Sequence, residues 1–188
     1  MPFDFTAAVR ELMADVAATC DEFRHVDMCR VAVGFSQARS GQLGGVSASI
    51  YPLRFAGGER VTKLPQGTFA MPRVVVGGQE MLYAVLFRLP RFLCLPFDEK
   101  LATVVHEMFH ISPEFDGTLR RFDGGKAFHT GSARRFHAVM ATLAAGYLER
   151  TKRPELHAVL RQSFRELSDA HGGIVGLRLR SLRPMRIG

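Results

Sequence analysis

The sequence predicts an α+β fold, in which a small and mostly antiparallel sheet packs on one amphipathic helix that is followed by further helices. Strand-like alternation is concentrated before residue 89, whereas helical spacing of apolar residues dominates afterwards. The chain has 188 residues, of which 47% are hydrophobic, and it shows no internal repeat. We therefore expect a single domain over residues 1–188, long enough to bury a sizeable core.

The first half of the chain is expected to contain one helix and four strands. The helix begins at Asp4 or Thr6, both N-capping residue types, and runs to about Phe23. Its predicted buried face consists of Phe5, Val9, Leu12, Met13, Val16 and Ala17. The predicted strands are 29–35, 46–55, 68–76 and 81–88. Pro52 places the second strand at a sheet edge or ends it early, and Gly77-Gly78 predicts a hairpin turn.

The second half is expected to be mainly helical. A helix should begin near Phe97 and stop near Ser112, which precedes a proline. Its predicted buried stripe is Leu101, Val104, Val105, Met108 and Phe109. After an irregular loop, a helix is predicted from Thr130 or Ser132 to about Lys152. A second helix is predicted over 154–170, ended by Gly172-Gly173. Residues 174–182 are interpreted as a late strand.

One motif in the predicted helix after residue 97 carries recognisable chemistry. His106, Glu107 and His110 form H-E-x-x-H. On a helix, positions i and i+4 share one face, so two imidazoles can bind one zinc ion with the glutamate beside it. A hydrolytic zinc site has three protein ligands and one open position for water. The motif therefore predicts a Zn²⁺ site and supplies two of its three protein ligands.

The third ligand must come from elsewhere in the chain. The downstream candidates are Glu114, Asp116, Asp123, His129 and His137. The spacing favours His129, because eighteen residues separate it from His110 and let the chain leave the helix and return. His129 also precedes a predicted helix start. A loop carboxylate and His137 remain the alternatives, and His137 or Asp123 could instead orient a ligand.

Two stretches around this motif resemble known zinc proteases. V-V-H-E-M-F-H-I-S-P-E-F-D-G-T-L-R-R-F and F-H-T-G-S-A-R-R-F resemble a zincin-type family of phage and prokaryotic metallopeptidases, over roughly residues 81–140. More distantly, the chain is similar to SprT-like proteases, with Phe136 in the place of their aromatic residue. The resemblance implies a zincin-like fold, zinc ligands His106, His110 and His129, and Glu107 as general base. His129 is followed by Thr130-Gly131 where SprT-like chains have Gly directly.

The expected activity is therefore that of a zinc metallopeptidase acting on a protein or peptide substrate. Glu107 would take a proton from the attacking water and pass it to the leaving amine. Tyr83, Arg120 and Arg121 are candidate donors to the oxyanion. In zincins the substrate commonly pairs with an edge strand beside the metal helix, for which the third or fourth predicted strand would serve. A zinc amidohydrolase acting on a non-peptide substrate is an alternative.

Charge distribution suggests a second kind of partner. The net charge is +7, but residues 1–119 hold 11 Lys and Arg against 13 Asp and Glu, whereas residues 120–188 hold 14 against 5. The basic C-terminal third indicates either a polyanionic partner, such as nucleic acid or an acidic protein, or only a solvated surface. For a nucleic-acid-associated protein, the metal site would be structural or vestigial. The phosphate contacts would be Arg120, Arg121, Arg134, Arg135, Arg178, Arg180, Arg183 and Arg186.

Cysteine usage and hydropathy indicate a cytoplasmic location. Cys20, Cys29 and Cys94 are odd in number and show no C-x-x-C spacing, which favours a reducing compartment. The N-terminus lacks the basic-then-apolar pattern of a signal peptide. The most apolar run, residues 81–96, is interrupted by Arg88, Pro90 and Arg91, so we expect no membrane partner.

Overall fold

The computed structural model describes residues 1–38, 45–121 and 133–188. Within these ranges, helices and strands follow each other in mixed order, which agrees with the predicted α+β class. The helices are α1 (Phe5–Thr19), α2 (Phe97–Phe109), α3 (Ala133–Arg150), α4 (Ala158–Arg161) and α5 (Phe164–His171). The strands are β1 (Phe3–Asp4), β2 (Val31–Gln37), β3 (Ala48–Pro52), β4 (Val61–Leu64), β5 (Gly67–Ala70), β6 (Val75–Val76), β7 (Gln79–Glu80), β8 (Tyr83–Leu89), β9 (Ile174–Val175) and β10 (Met185–Arg186).

Helix α1 confirms the predicted buried face. The Asp4 carboxylate accepts a hydrogen bond of 2.9 Å from the Ala7 backbone N–H and so caps the first turn. The six buried residues of α1 are the six expected from the spacing, namely Phe5, Val9, Leu12, Met13, Val16 and Ala17. The helix ends at Thr19, earlier than predicted, and a 3-10 turn over Asp21–Phe23 follows.

The central sheet is mixed rather than mostly antiparallel. Its three strands lie in the order β2-β8-β3, with β8 parallel to β2 and antiparallel to β3. The parallel pairing is the longer one, because Val31–Gln37 pairs with Tyr83–Leu89 along its whole length. Strand β3 is an edge strand and ends at Pro52, as the missing N–H of proline predicts. The chain thus reaches its central strand last of the three.

Alternation along β8 divides the core into two layers. Tyr83, Val85 and Phe87 face the larger cluster, which includes the buried residues of α1, α2 and α3. Ala84 and Leu86 face the smaller cluster on the other side of the sheet, together with Leu182 from the C-terminal segment. The helices therefore cover one face of the sheet, and the C-terminal segment covers part of the other.

The smaller sheets flank this core. Strand β5 lies between β4 and β10, and β6 pairs with β7. The β6–β7 turn confirms the predicted hairpin, because Gly77 and Gly78 have φ values of 58° and 80°, which favour glycine. The predicted strand 68–76 is split between β5 and β6. The predicted late strand 174–182 is wrong beyond β9, since only Ile174–Val175 pairs, with β1.

The second C-terminal helix is also broken, where the sequence predicts one continuous helix over 154–170. A 3-10 turn over Pro154–His157 leads into α4, which ends at Arg161. Helix α5 then begins after Ser163. Ser163 and Glu166 form a capping box, in which each side chain binds the backbone N–H of the other residue. The left-handed Gly172 ends α5 as predicted.

A buried lysine connects this break to α2. Lys100 is only 3% exposed, and its Nζ donates to the carbonyl oxygens of Leu160 at 3.1 Å and Gln162 at 2.8 Å. Both carbonyls lie at the C-terminal end of α4, where no further helical turn supplies backbone N–H donors. The ammonium group of Lys100 takes the place of these donors. Burial lowers the pKa of Lys100. The position of α2 is thereby fixed against the C-terminal helices.

Apolarity along the helices bears on the membrane expectation. Within the described ranges, no helix is both long and apolar enough to cross a bilayer.

Replacing Lys100 should destabilise the chain markedly. Lys100→Met keeps the stem volume but leaves two carbonyl groups without their donor, so the free energy of unfolding should fall by about 2 kcal/mol or more. Urea denaturation followed by circular dichroism measures this, with the exposed Lys152→Met as matched control. A change in Lys100→Met no larger than in the control would contradict the assigned role.

Candidate metal centre

The two histidines of the motif meet at the C-terminal end of α2. His106 lies in the last turn, and His110 is the C-cap residue with helical φ and ψ of −73° and −13°. Their Nε2 atoms are 3.0 Å apart, and their ring centroids are 4.8 Å apart. Two nitrogens about 2.05 Å from a tetrahedral zinc ion would stand about 3.3 Å apart. The pair therefore fits two adjacent ligand positions of one such ion.

The end of α2 is held by the chain that follows it. The helix ends at Phe109, before the predicted end near Ser112. Beyond it, the backbone of Ile111 pairs with Leu119, and the Arg120 N–H donates to the His110 carbonyl at 2.7 Å. The Arg120 Nε also donates to the Phe109 carbonyl at 2.7 Å. The helix C-terminus favours positive charge, which suits both the guanidinium and a metal ion.

Glu107 points into the interior between α2 and β3. Its side chain is 7% exposed, and burial raises its pKa to about 7, against the opposing effect of the Ile50 backbone N–H. Strand β3 packs directly on α2. A carboxyl group in this position can accept and release a proton near neutral pH.

A cleft of about 390 Å³ opens beside these residues. Its walls come from α2, from α3 and from the segment that leads into β3. The lining residues are Val46, Ser47, Ala48, Glu99, Ala102, Thr103, His106, Glu107, His137 and Met140. Residues 46–48 were not predicted at the site, because no local pattern indicates which strand lies beside α2.

Helix α3 covers the histidine pair with aromatic side chains. The Phe136 ring lies edge-on to His106 at 5.1 Å between centroids and stacks on His110 at 6.2 Å. His137, the next residue, lies with its ring centroid 6.1 Å from that of His106. His137 was an alternative third ligand from the sequence, and it is the candidate that the described part of α3 brings to the cleft.

The other candidates for the third ligand are placed differently. His129, the favoured one, and Asp123 lie outside the described residues. Glu114 accepts a 2.7 Å hydrogen bond from the Ser112 hydroxyl, and Asp116 accepts from the backbone and hydroxyl of Thr118. Both carboxylates line a different cavity from the histidine pair. Among described residues, no group of three or more His, Cys, Asp or Glu could hold a metal ion.

Two of the three candidate oxyanion donors form hydrogen bonds to the protein backbone. The buried Tyr83 hydroxyl donates to the Thr118 carbonyl at 2.8 Å and accepts from the Gly117 N–H at 3.0 Å. The Arg120 side chain binds the Phe109 carbonyl at the end of α2. Tyr83 and Arg120 are therefore both hydrogen-bonded within the protein, and their role as oxyanion donors stays a prediction. Arg121 is exposed and lies by the cavity of Glu114 and Asp116.

One further histidine departs from expectation. His157 would be expected at the surface from its residue type, but it is 3% exposed, with Nε2 3.3 Å from the Tyr147 hydroxyl. Tyr147 and Thr151 both donate to the Asp15 carboxylate, at 2.8 and 2.6 Å. This network joins α1 to α3 and lies away from the cleft, so it belongs to the packing.

Comparisons with protein-family models, with curated proteins and with solved structures gave no match to this chain. The likeness to zincin-type proteases therefore rests on the motif residues themselves.

Two single substitutions should identify the third ligand. We expect His129→Ala to lower zinc affinity by more than the roughly 10–100-fold that loss of an outer-shell partner costs. His137→Ala should retain zinc, and the exposed His171→Ala serves as control. The zinc content of each variant after dialysis is measured by inductively coupled plasma mass spectrometry, and circular dichroism verifies that the variant is folded. Retention in His129→Ala together with loss in His137→Ala would assign the position to His137.

Proposed function

We propose that the protein is a zinc-dependent metallopeptidase that hydrolyses peptide bonds. The observation that carries the proposal is the 3.0 Å approach of the His106 and His110 Nε2 atoms beside the buried Glu107 carboxyl. Neutral imidazole nitrogens are ordinary zinc ligands, and the H-E-x-x-H order on a helix puts the glutamate where such enzymes need a base. His129 is the proposed third ligand.

The chain's own residues then have distinct roles. A zinc ion held by the histidines would supply Lewis acidity and lower the pKa of a bound water to about 7. Glu107 accepts the proton of the attacking water and returns it to the leaving amine. The Phe136 ring lies against both histidine rings and would shield them from water. The substrate would lie in the cleft, of which residues 46–48 form one wall.

The edge strand beside the cleft is the proposed place for an extended substrate. The sequence favoured strand 81–88 or 69–76, but β8 is the central strand and is paired on both sides. Strand β3 instead pairs with β8 alone among the described strands. A peptide that adds to its outer side would run past Glu107, held by backbone hydrogen bonds.

Nucleic acid remains a second candidate partner because of one observation. Arg178, Arg180, Arg183 and Arg186 are all exposed on the C-terminal segment. The side chains of Arg134 and Arg135 lie outside the described residues. Binding to DNA with an affinity that falls steeply as the salt concentration rises would support this second hypothesis.

The role of Glu107 is tested by Glu107→Gln. The amide keeps the shape but cannot take the proton, so kcat/KM on a peptide substrate should fall by about 10²–10⁴-fold while zinc content is unchanged. Casein and quenched fluorescent peptide libraries serve as substrates. Glu99→Gln is the matched control, since Glu99 lines the same cleft but is exposed, and it should change activity little.

Two outcomes would contradict the proposal. Wild-type protein that cannot be loaded with zinc would remove the metal chemistry. Zinc-loaded protein that cleaves a small amide but no peptide would point to the non-peptide amidohydrolase instead.

A further inference from the structure

A second cavity lies on the opposite face of the central sheet from α2. Its volume is about 490 Å³, and it is formed between the sheet and the C-terminal segment. The lining residues are Ser36, Tyr51, Leu86, Arg88, Leu179, Ser181, Leu182, Arg183, Pro184 and Met185. Leu86 and Leu182 belong to the smaller core cluster, which places the cavity on the face that the helices leave uncovered.

Arg88 is the charged group of this cavity. It is half-buried, and its two terminal nitrogens donate to the Ser36 hydroxyl and, at 3.0 Å, to the Tyr51 hydroxyl. Both acceptors are neutral. Among the described residues, no carboxylate forms an ion pair with Arg88. The positive charge in the cavity is therefore not compensated by the residues around it.

The polar groups around Arg88 are arranged to donate. A guanidinium carries five N–H donors, and the two hydroxyls engage one on each terminal nitrogen. Because Ser36 and Tyr51 accept from Arg88, their own hydroxyl hydrogens remain to be donated elsewhere. Arg183 adds a second cation at the exposed rim, and no lining residue is Asp or Glu. Such a donor set matches an anion.

The remaining wall is apolar. Leu86, Leu179, Leu182, Pro184 and Met185 surround the charged group together with the Tyr51 ring. Small-molecule sites are typically concave, mostly apolar and provided with a few convergent polar groups that fix orientation. An isolated phosphate would leave this apolar surface unused.

We propose that this cavity binds a small organic anion, with a carboxylate or phosphate head at Arg88 and an apolar or aromatic body against the leucine, proline and methionine side chains. The head group accepts from Arg88, Ser36 and Tyr51, and Arg183 closes over it from the rim. The site is separate from the metal centre and does not depend on the proposed peptidase activity. A nucleic acid backbone fits less well, because it would need a row of exposed cations rather than one half-buried cation in an apolar cavity.

Binding of three matched probes to the purified chain tests this. Phenyl phosphate and benzoate carry the two head groups on one aromatic body, and benzyl alcohol is the neutral counterpart. Isothermal titration calorimetry should show saturable binding of at least one anion and none of benzyl alcohol. Arg88→Gln should weaken anion binding by about tenfold or more, as the loss of a charge-assisted hydrogen bond predicts.

Arg180→Gln is the matched control, because Arg180 is exposed on the same segment and does not line the cavity. It should bind the anions as the wild type does. If Arg88→Gln does not fold, the exposed Arg183→Gln carries the test and should bind measurably more weakly than Arg180→Gln.

Three results would overturn the proposal. The first is no saturable binding of either anion, and the second is equal binding of benzyl alcohol. The third is an equal loss of binding in Arg180→Gln, which would indicate a diffuse basic surface.

Discussion

The packing of α2 against the central sheet determines where the motif residues lie. Its buried stripe of Leu101, Val104, Val105 and Met108 fixes the rotation of the helix. That rotation turns Glu107 inward to β3, places His106 at the cleft and brings His106 and His110 together. Lys100 holds one end of the helix to α4, and Arg120 holds the other end to the following loop. The geometry of three motif residues thus follows from contacts made by others.

Two buried ionisable groups on the same helix have opposite consequences. Lys100 finds two carbonyl oxygens, so its burial contributes to holding the C-terminal helices. Glu107 is buried without a cation beside it among the described residues, and its raised pKa reflects that cost. Lys100 is therefore part of the packing, whereas the Glu107 carboxyl group is buried without an ion pair among the described residues.

The sequence predicts the parts of this molecule that depend on local pattern. Helical spacing identified every buried residue of α1, and the H-E-x-x-H order identified the histidine pair. Glycine pairs located the β6–β7 turn and the end of α5. Pairing between distant segments was beyond such reasoning, because nothing near residue 48 or residue 83 states which strand is central. The parallel β2–β8 pair and the position of β3 beside Glu107 were therefore missed.

Some of the missed features did have a sequence signal. The capping box of Ser163 and Glu166 indicates a helix start, and therefore a break between α4 and α5. Lys100 occupies the apolar face of α2, four residues before Val104, and a lysine there needs a buried partner. The network of Asp15, Tyr147 and His157 has no such signal, because Asp15 lies 132 residues before Tyr147 and meets it only after folding.

If His106 and His110 bind one zinc ion beside Glu107, anomalous diffraction at the zinc edge from crystals of the zinc-loaded protein will locate it. We expect one strong peak about 2.0–2.1 Å from the Nε2 atoms of both histidines, with a third protein nitrogen at a similar distance. Zinc bound elsewhere in the loaded protein, or no ordered zinc in the cleft, would contradict it.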